Sequence, residues 1–172
     1  MQKGFYLDLT RCTSCYSCVV ACKAHHNSVL DETVYWRRVI TLEKGTYPVV
    51  RLTNLSLSCM HCGTPACKVV CPTKAISKRT EDGLVLVNPD LCIGCKMCLM
   101  ACPFGIPQFG KNGKMQKCDF CLDRLETGLL PACMNVCPAK ALHAGPMDEL
   151  SALANRKAAN RLIRTTDPSF FI

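Results

Sequence analysis

The chain has 172 residues, 16 of them cysteine, and a formal net charge of +8 from 21 Lys and Arg against 13 Asp and Glu. Without the cysteines the apolar share falls from 49% to about 40%, below the level typical of soluble domains, so metal or disulfides must help fold the chain. The length excludes more than one ordinary domain or two very small ones, and the longest uncharged run, residues 52–67, is too polar to span a membrane.

The N-terminal stretch GFYLDL is followed at once by Cys12, and Asp8 interrupts it where a secretory signal needs an unbroken apolar core; no early Arg-Arg pair is present. The expected location is therefore cytoplasmic, where clustered cysteines serve metals rather than disulfides. The alternative is periplasmic, by co-export with a partner that carries a twin-arginine signal. Cys12, Cys15, Cys18 and Cys22 form a first group spaced C-x2-C-x2-C-x3-C. Residues 31–55 read as a linker in which TVYWRRV alternates like a strand and pairs near 48–52. Trp36 is assigned to packing there, with an interface anchor as the alternative.

Group two, Cys59, Cys62, Cys67 and Cys71, leads through KAISKRTEDG, with a turn at Asp82-Gly83, into a strand LVLV. Group three, Cys92, Cys95, Cys98 and Cys102, repeats the spacing of group one, and group four is Cys118, Cys121, Cys133 and Cys137. After Gly145 the spacing predicts a helix with Pro146 in its first turn and Leu150, Leu153 and Leu162 on one face. Its basic side, Arg156, Lys157, Arg161 and Arg164, reads as solvated; no aromatic platform accompanies it, so no nucleic-acid partner is expected. The terminal SFFI is expected to pack on this chain or a partner.

No cysteine is left over from the four groups, and three groups end in Cys-Pro, at Pro72, Pro103 and Pro138. This is the bacterial ferredoxin pattern for [4Fe-4S] clusters: a short loop delivers three thiolates from one side, and the fourth comes from the neighbouring run. Pro beside that last Cys suits a first helical turn. Zinc competes for any C-x2-C pair, but four cysteines packed into one short run, twice, is the more specific signal. Sixteen thiolates around four cubane cores of about +2 each add about −8, so the basic excess reads as counter-charge.

Groups one and three share an acid ahead of the first Cys, while groups two and four share an expanded second gap and the endings CPTKAI and CPAKAL, so the chain is an imperfect duplication. Residues 59–102 read as a complete two-cluster unit, which pairs group two with three and leaves one with four; spacing alone leaves open a sequential pairing, one with two and three with four. Crossing the fourth cysteines predicts four clusters. In the outer unit Cys12, Cys15, Cys18 and Cys137 hold one, and Cys118, Cys121, Cys133 and Cys22 its neighbour. In the inner unit Cys59, Cys62, Cys67 and Cys102 hold one, and Cys92, Cys95, Cys98 and Cys71 the other. The expected fold class is α+β, two nested bacterial-ferredoxin-like lobes with small antiparallel sheets and short helices. The outer lobe takes residues 1–30 plus 111–145, the linker 31–55, the inner lobe 56–110, and a C-terminal helix and tail 146–172.

With the stretches GFYLDLTRCTSCYSCVVAC, LSCMHCGTPACKVVCPTKAI, DGLVLVNPDLCIGCKMCLMACPFGIPQF and KMQKCDFCLDRLETGLLPAC, the chain resembles the four-cluster iron-sulfur subunits of dimethyl sulfoxide reductase and polysulfide reductase type molybdopterin oxidoreductases. The resemblance implies electron transfer between a molybdenum or tungsten pterin catalytic subunit and another donor or acceptor, a protein or membrane subunit, with no substrate chemistry on this chain. It also implies that the unit of groups one and four faces the catalytic subunit. Similar subunits serve tungsten aldehyde oxidoreductases, formate dehydrogenases and hydrogenases; a free polyferredoxin carrier is the alternative.

Lys23, Lys68, Lys96, Lys117 and Lys140 flank the cysteine loops and read as counter-charge, with tuning of cluster potentials as the sharper alternative. His25, His26, His61 and His143 are not needed as ligands and are assigned surface or hydrogen-bonding roles.

Overall fold

The computed structural model describes residues 1–27 and 30–165. In chain order its elements are β1 (Lys3–Leu7), α1 (Ser17–His25), β2 (Arg38–Thr46), β3 (Val49–Leu57), α2 (Ala66–Val69), β4 (Ile76–Lys78), β5 (Val85–Val87), α3 (Met97–Ala101), β6 (Gln108–Phe109), β7 (Met115–Gln116), α4 (Leu122–Glu126), α5 (Ala132–Asn135), β8 (Leu142–Pro146) and α6 (Met147–Thr165). The strands form four two-stranded antiparallel sheets, β1 with β8, β2 with β3, β4 with β5 and β6 with β7. The chain's first strand thus pairs with its last, Gly4 opposite Gly145 and Leu7 opposite Leu142, while β4 and β5 pair between them in sequence, Ile76 opposite Val87.

The duplication read from the cysteines extends to the backbone. Four residues before each C-x2-C-x2-C run, Asp8 and Asn88 accept from the amides of Thr10 and Asp90 through their side-chain oxygens. The amides of Asp8 and Asn88 in turn donate to the carbonyls of Ala141 and Ala75. Within the runs Ser14 and Gly94, and then Tyr16 and Lys96, adopt left-handed conformations at matching positions. His61 matches Phe120, and Lys74 matches Lys140, in the same way. Successive turns of this hand point amides into the loop, the concavity that suits an anionic sulfur-rich group. At Gly94 a Cβ would also lie 2.5 Å from the Gly113 carbonyl, so the third group needs glycine where the first tolerates serine.

Except for α1 and α6, the described helices have four or five residues. The prolines explain much of this, and they correct the expectation that they open helices. Pro72, Pro103 and Pro138 each follow a helix end, after α2, α3 and α5. A proline there bars another turn and pushes the preceding residue toward extended backbone, as at Cys102 (φ −85°, ψ 112°). Pro146 likewise ends β8 opposite Lys3 and does not lie in the first turn of α6.

The linker does hold a hairpin, β2–β3, nine residues per strand around Tyr47-Pro48, but it corrects the expected pairing: β2 begins only at Arg38, so most of TVYWRRV precedes it, and Val49 to Leu52 lie opposite Thr46 to Glu43. Much of it stands clear: Tyr47, Val49 and Leu52 are exposed, and Asn54 Nδ2 ties the hairpin to the Cys12 carbonyl at 2.9 Å. Helix α6 lies on β1, where a Cβ on Gly4 would sit 2.6 Å from Met147 Sδ, and Leu150 is buried. Lys157 corrects the reading of a solvated basic face, because it pairs with buried Asp8. The side chains of Arg161, Leu162 and Arg164, and the segment SFFI, lie outside the described residues. No described helix is long and apolar enough to cross a membrane.

Buried apolar groups form three small clusters that each contain cysteine: Ile76, Val85, Cys98 and Met115; Cys18, Cys133 and Leu142; Cys59, Ile106 and Cys118; Val34, Leu84 and Phe120 are among those buried besides. Cores this small do not offset the chain entropy of ordering so many loops.

Candidate metal centre

The structure brings the cysteines together across the chain rather than along it. Cys12, Cys15 and Cys18 share a cavity with Cys137, walled by Leu7, Val39 and Leu142. Cys92, Cys95 and Cys98 share one with Cys71, walled by Ile76, Val87, Phe109 and Met115. A third holds Cys59, Cys62, Cys67 and Cys102 against Val85, Ile106 and Lys117. The remaining four, Cys22, Cys118, Cys121 and Cys133, are all buried, and Cys22 lies within electrostatic reach of the other three.

Helix geometry delivers the crossing. Cys18 and Cys22 are four apart on α1, and α5 presents Cys133 before the turn to Cys137. Cys18 packs with Cys133 and Cys137, so α1 places one cysteine in each set, as α5 does together with the turn that follows it.

The donors suit a polynuclear cluster better than a single ion. A tetrahedral zinc with bonds of about 2.3 Å needs sulfurs less than about 4 Å apart. Among the described residues, the set of three such side chains with ligand atoms all within 4.8 Å is His25, His26 and Cys121; no cysteine quartet forms one. Amides of Phe120, Ala141 and Met115 approach the sulfurs of Cys118, Cys137 and Cys92 at 3.3–3.4 Å, the bonding that sets a cluster's potential.

Burial pushes the thiols of Cys98 and Cys118 up to about 11 and that of Cys121 to about 12. Cys22 rises further for the same reason, so thiolates at these positions need a metal cation beside them. Cys15 moves the other way, held down by Ser17. In Cys71 burial is outweighed by hydrogen bonds from Thr73, Ile76 and Ala75.

The flanking cations divide. Lys117 is buried beside the Cys59 set and donates to the carbonyls of Val85 and Cys118. Exposed Lys96 borders the Cys71 set. Lys23 instead binds carbonyls of the linker at Asp31, Glu32 and Val34; Lys68 and Lys140 are exposed.

Of the surface or hydrogen-bonding roles expected for the histidines, His61 and His25 take hydrogen bonds, and His61 and His26 are buried rather than at the surface. His61 is 1% exposed, accepts from the Val85 amide at 3.0 Å and is kept neutral by burial, its pKa pushed down to about 2. Buried His26 places Nε2 3.6 Å from Cys121 Sγ. Arg37 is also buried, bonded to Ser56 and Ser58. Its motif YWRRV is visible in sequence, but its burial depends on partners some twenty residues away.

The 4Fe-4S dicluster domain family matches residues 50–147 and, in a second form, residues 11–76. The protein belongs to this family. The dicluster protein is 45% identical over 158 residues to a chain of the anaerobic dimethyl sulfoxide reductase of Escherichia coli, covering 87% of its own length and 76% of that relative's. It is 40% identical over 181 residues to the formate dehydrogenase iron-sulfur subunit of Wolinella succinogenes, covering 91% and 88%. With a subunit of the sulfite dehydrogenase of Allochromatium vinosum it shares 36% over 186 residues, covering 94% and 78%. The chain is thus an iron-sulfur electron-transfer protein, similar to subunits of reductases and dehydrogenases.

Proposed function

We propose that the chain holds four [4Fe-4S] clusters and relays single electrons between a molybdenum or tungsten pterin catalytic subunit and a second redox partner. The ligand sets are Cys12, Cys15, Cys18 and Cys137; Cys22, Cys118, Cys121 and Cys133; Cys59, Cys62, Cys67 and Cys102; Cys71, Cys92, Cys95 and Cys98. Each cluster, when bound, supplies a reversible one-electron site. The protein supplies the spacing, the exclusion of water from the central sets and the amides and cations that set each potential.

The observation that carries this reading is the distribution of exposure. The exposed cysteines, Cys15 and Cys95, belong to different sets, while Cys22, Cys118, Cys121 and Cys133 are all buried. Exposed apolar residues surround both outer sets, Tyr16 and Val20 near the first and Ile93, Met97 and Met100 near the second. Exposed apolar patches of this kind mark protein contacts. A chain whose exposed cysteines lie in two different quartets, with a wholly buried quartet besides, suits a conductor between two partners.

The test is an elemental count on the complex recovered anaerobically through a tag on this chain. About sixteen irons per chain beyond those of the partner, with molybdenum or tungsten, is the expected result. Iron on a lone monomer would favour a free carrier, and zinc with little iron would overturn the assignment.

A further inference from the structure

Arg37 is 2% exposed, and among the described residues no carboxylate lies within ion-pair distance of it. Its Nη1 donates to Ser56 Oγ at 3.0 Å and its Nη2 to Ser58 Oγ at 2.8 Å, while Nε has no partner. The guanidinium carbon stands 4.6 Å from the centre of the Phe5 ring. Two hydroxyls and a ring face do not compensate the desolvation of a full charge. Arginine does not escape by losing its proton, so a counter-charge must lie nearby.

The sulfurs are placed to supply it. Ser56 Oγ, one of the two groups holding Arg37, lies 3.3 Å from Cys18 Sγ. Phe5, under the guanidinium, packs against the apolar cluster of Cys18 and Cys133 and against that of Cys118. Cys18 belongs to one quartet; Cys133 and Cys118 belong to the next.

We propose that Arg37 is the shared counter-cation of two adjoining quartets, Cys12/Cys15/Cys18/Cys137 and Cys22/Cys118/Cys121/Cys133, and that its charge raises the reduction potential of the cluster in each. The assignment rests on the reading of both quartets as cluster sites. A thiolate-bound cubane is anionic and becomes more so on taking an electron, so a fixed cation between two of them favours the reduced form of both. It thereby holds two consecutive steps of the relay at raised potential together, through one side chain that touches no iron ligand directly.

The test compares Arg37→Gln and Arg37→Lys in the full complex, by iron count and by midpoint potentials from redox titrations followed by EPR. Arg38→Gln, at a side chain that bonds the Gly105 carbonyl, is the control. The expected result is that Arg37→Gln lowers two of the four potentials and leaves two in place, while Arg37→Lys restores both and Arg38→Gln moves none. If Arg37→Gln fails to load iron, full loading and near-native potentials in Arg37→Lys support the charge assignment. Four unmoved potentials in a loaded Arg37→Gln overturn it. So does an Arg37→Lys variant that behaves like Arg37→Gln or also fails to load, because shape rather than charge is then what matters. An iron count below sixteen in the unmodified complex strikes the cluster reading itself, separately from Arg37.

Discussion

Lys157 reaches back from α6 to the loop before the first cysteine, its Nζ 2.5 Å from Asp8 Oδ2. Burial alone would raise the Asp8 pKa, but Lys157 and Thr10 reverse this and hold it at about 2. The folded value lies below the ordinary 3.8, so the pair's contribution is fully present above about pH 4 and is lost as pH falls toward 2. Lys157→Met should lower stability at pH 7 by about 1–3 kcal/mol, read as a reduced melting temperature of the loaded protein. Combining it with Asp8→Asn should cost less than the sum of the two single changes; strict additivity would show that the pair does not interact.

Replacing His26 by Leu should lower the potential of one cluster only, that of the quartet containing Cys121, because a donor 3.6 Å from the sulfur is removed. Burial keeps this imidazole's pKa below its ordinary value. The ring acts as a neutral donor, and the difference between variant and parent should stay constant from pH 7 to 8. Equal shifts in all four clusters would instead indicate a general loosening.

Lys117→Met removes a buried ammonium that bonds Val85 on one side and Cys118 on the other. Iron content should fall first in the quartet of Cys59, Cys62, Cys67 and Cys102, whose cavity Lys117 borders. Any loaded fraction should show that cluster at lower potential. Exposed Lys96→Glu, beside the quartet of Cys71, should act in the same direction but more weakly, since water and salt screen its charge. Titrations that reverse this ranking would remove burial as the deciding variable.

Stripping the iron anaerobically with a chelator should unfold most of the chain. The apolar clusters contain only three or four buried residues each, and cysteines are among them. Far-UV circular dichroism should lose the signal of the short helices and regain it on reconstitution with iron and sulfide. A chain that kept its native spectrum without metal would show that packing suffices.

What is legible in the sequence depends on how local the signal is. Cysteine spacing is a local code for loop geometry, but by itself it leaves open which runs meet, as Cys137 meets Cys12 and Cys102 meets Cys59 in shared cavities. The alternation from Val34 to Val39 misplaces the linker strand: β2 begins at Arg38, and Val34, Tyr35, Trp36 and Arg37 lie ahead of the hairpin. The prolines mislead because Cys-Pro is compatible with either end of a helix, and only the loop that follows decides. Arg37 and His61 are invisible as buried groups: one is enclosed by Phe5, Ser56 and Ser58, the other by Phe120 and Val85. Burial of a polar side chain is a property of distant partners, not of its own neighbourhood in the chain.

The pairing of β1 with β8 imposes an order on biosynthesis. The inner hairpin of β4 and β5 joins residues 76–87 and is available as soon as that stretch leaves the ribosome. Leu7 must wait for Leu142, and Cys12 for Cys137. During translation the first cysteine run therefore leaves the ribosome well before the strand and the cysteine that complete its cavity, and β8 closes the N-terminal loop as a late, long-range contact.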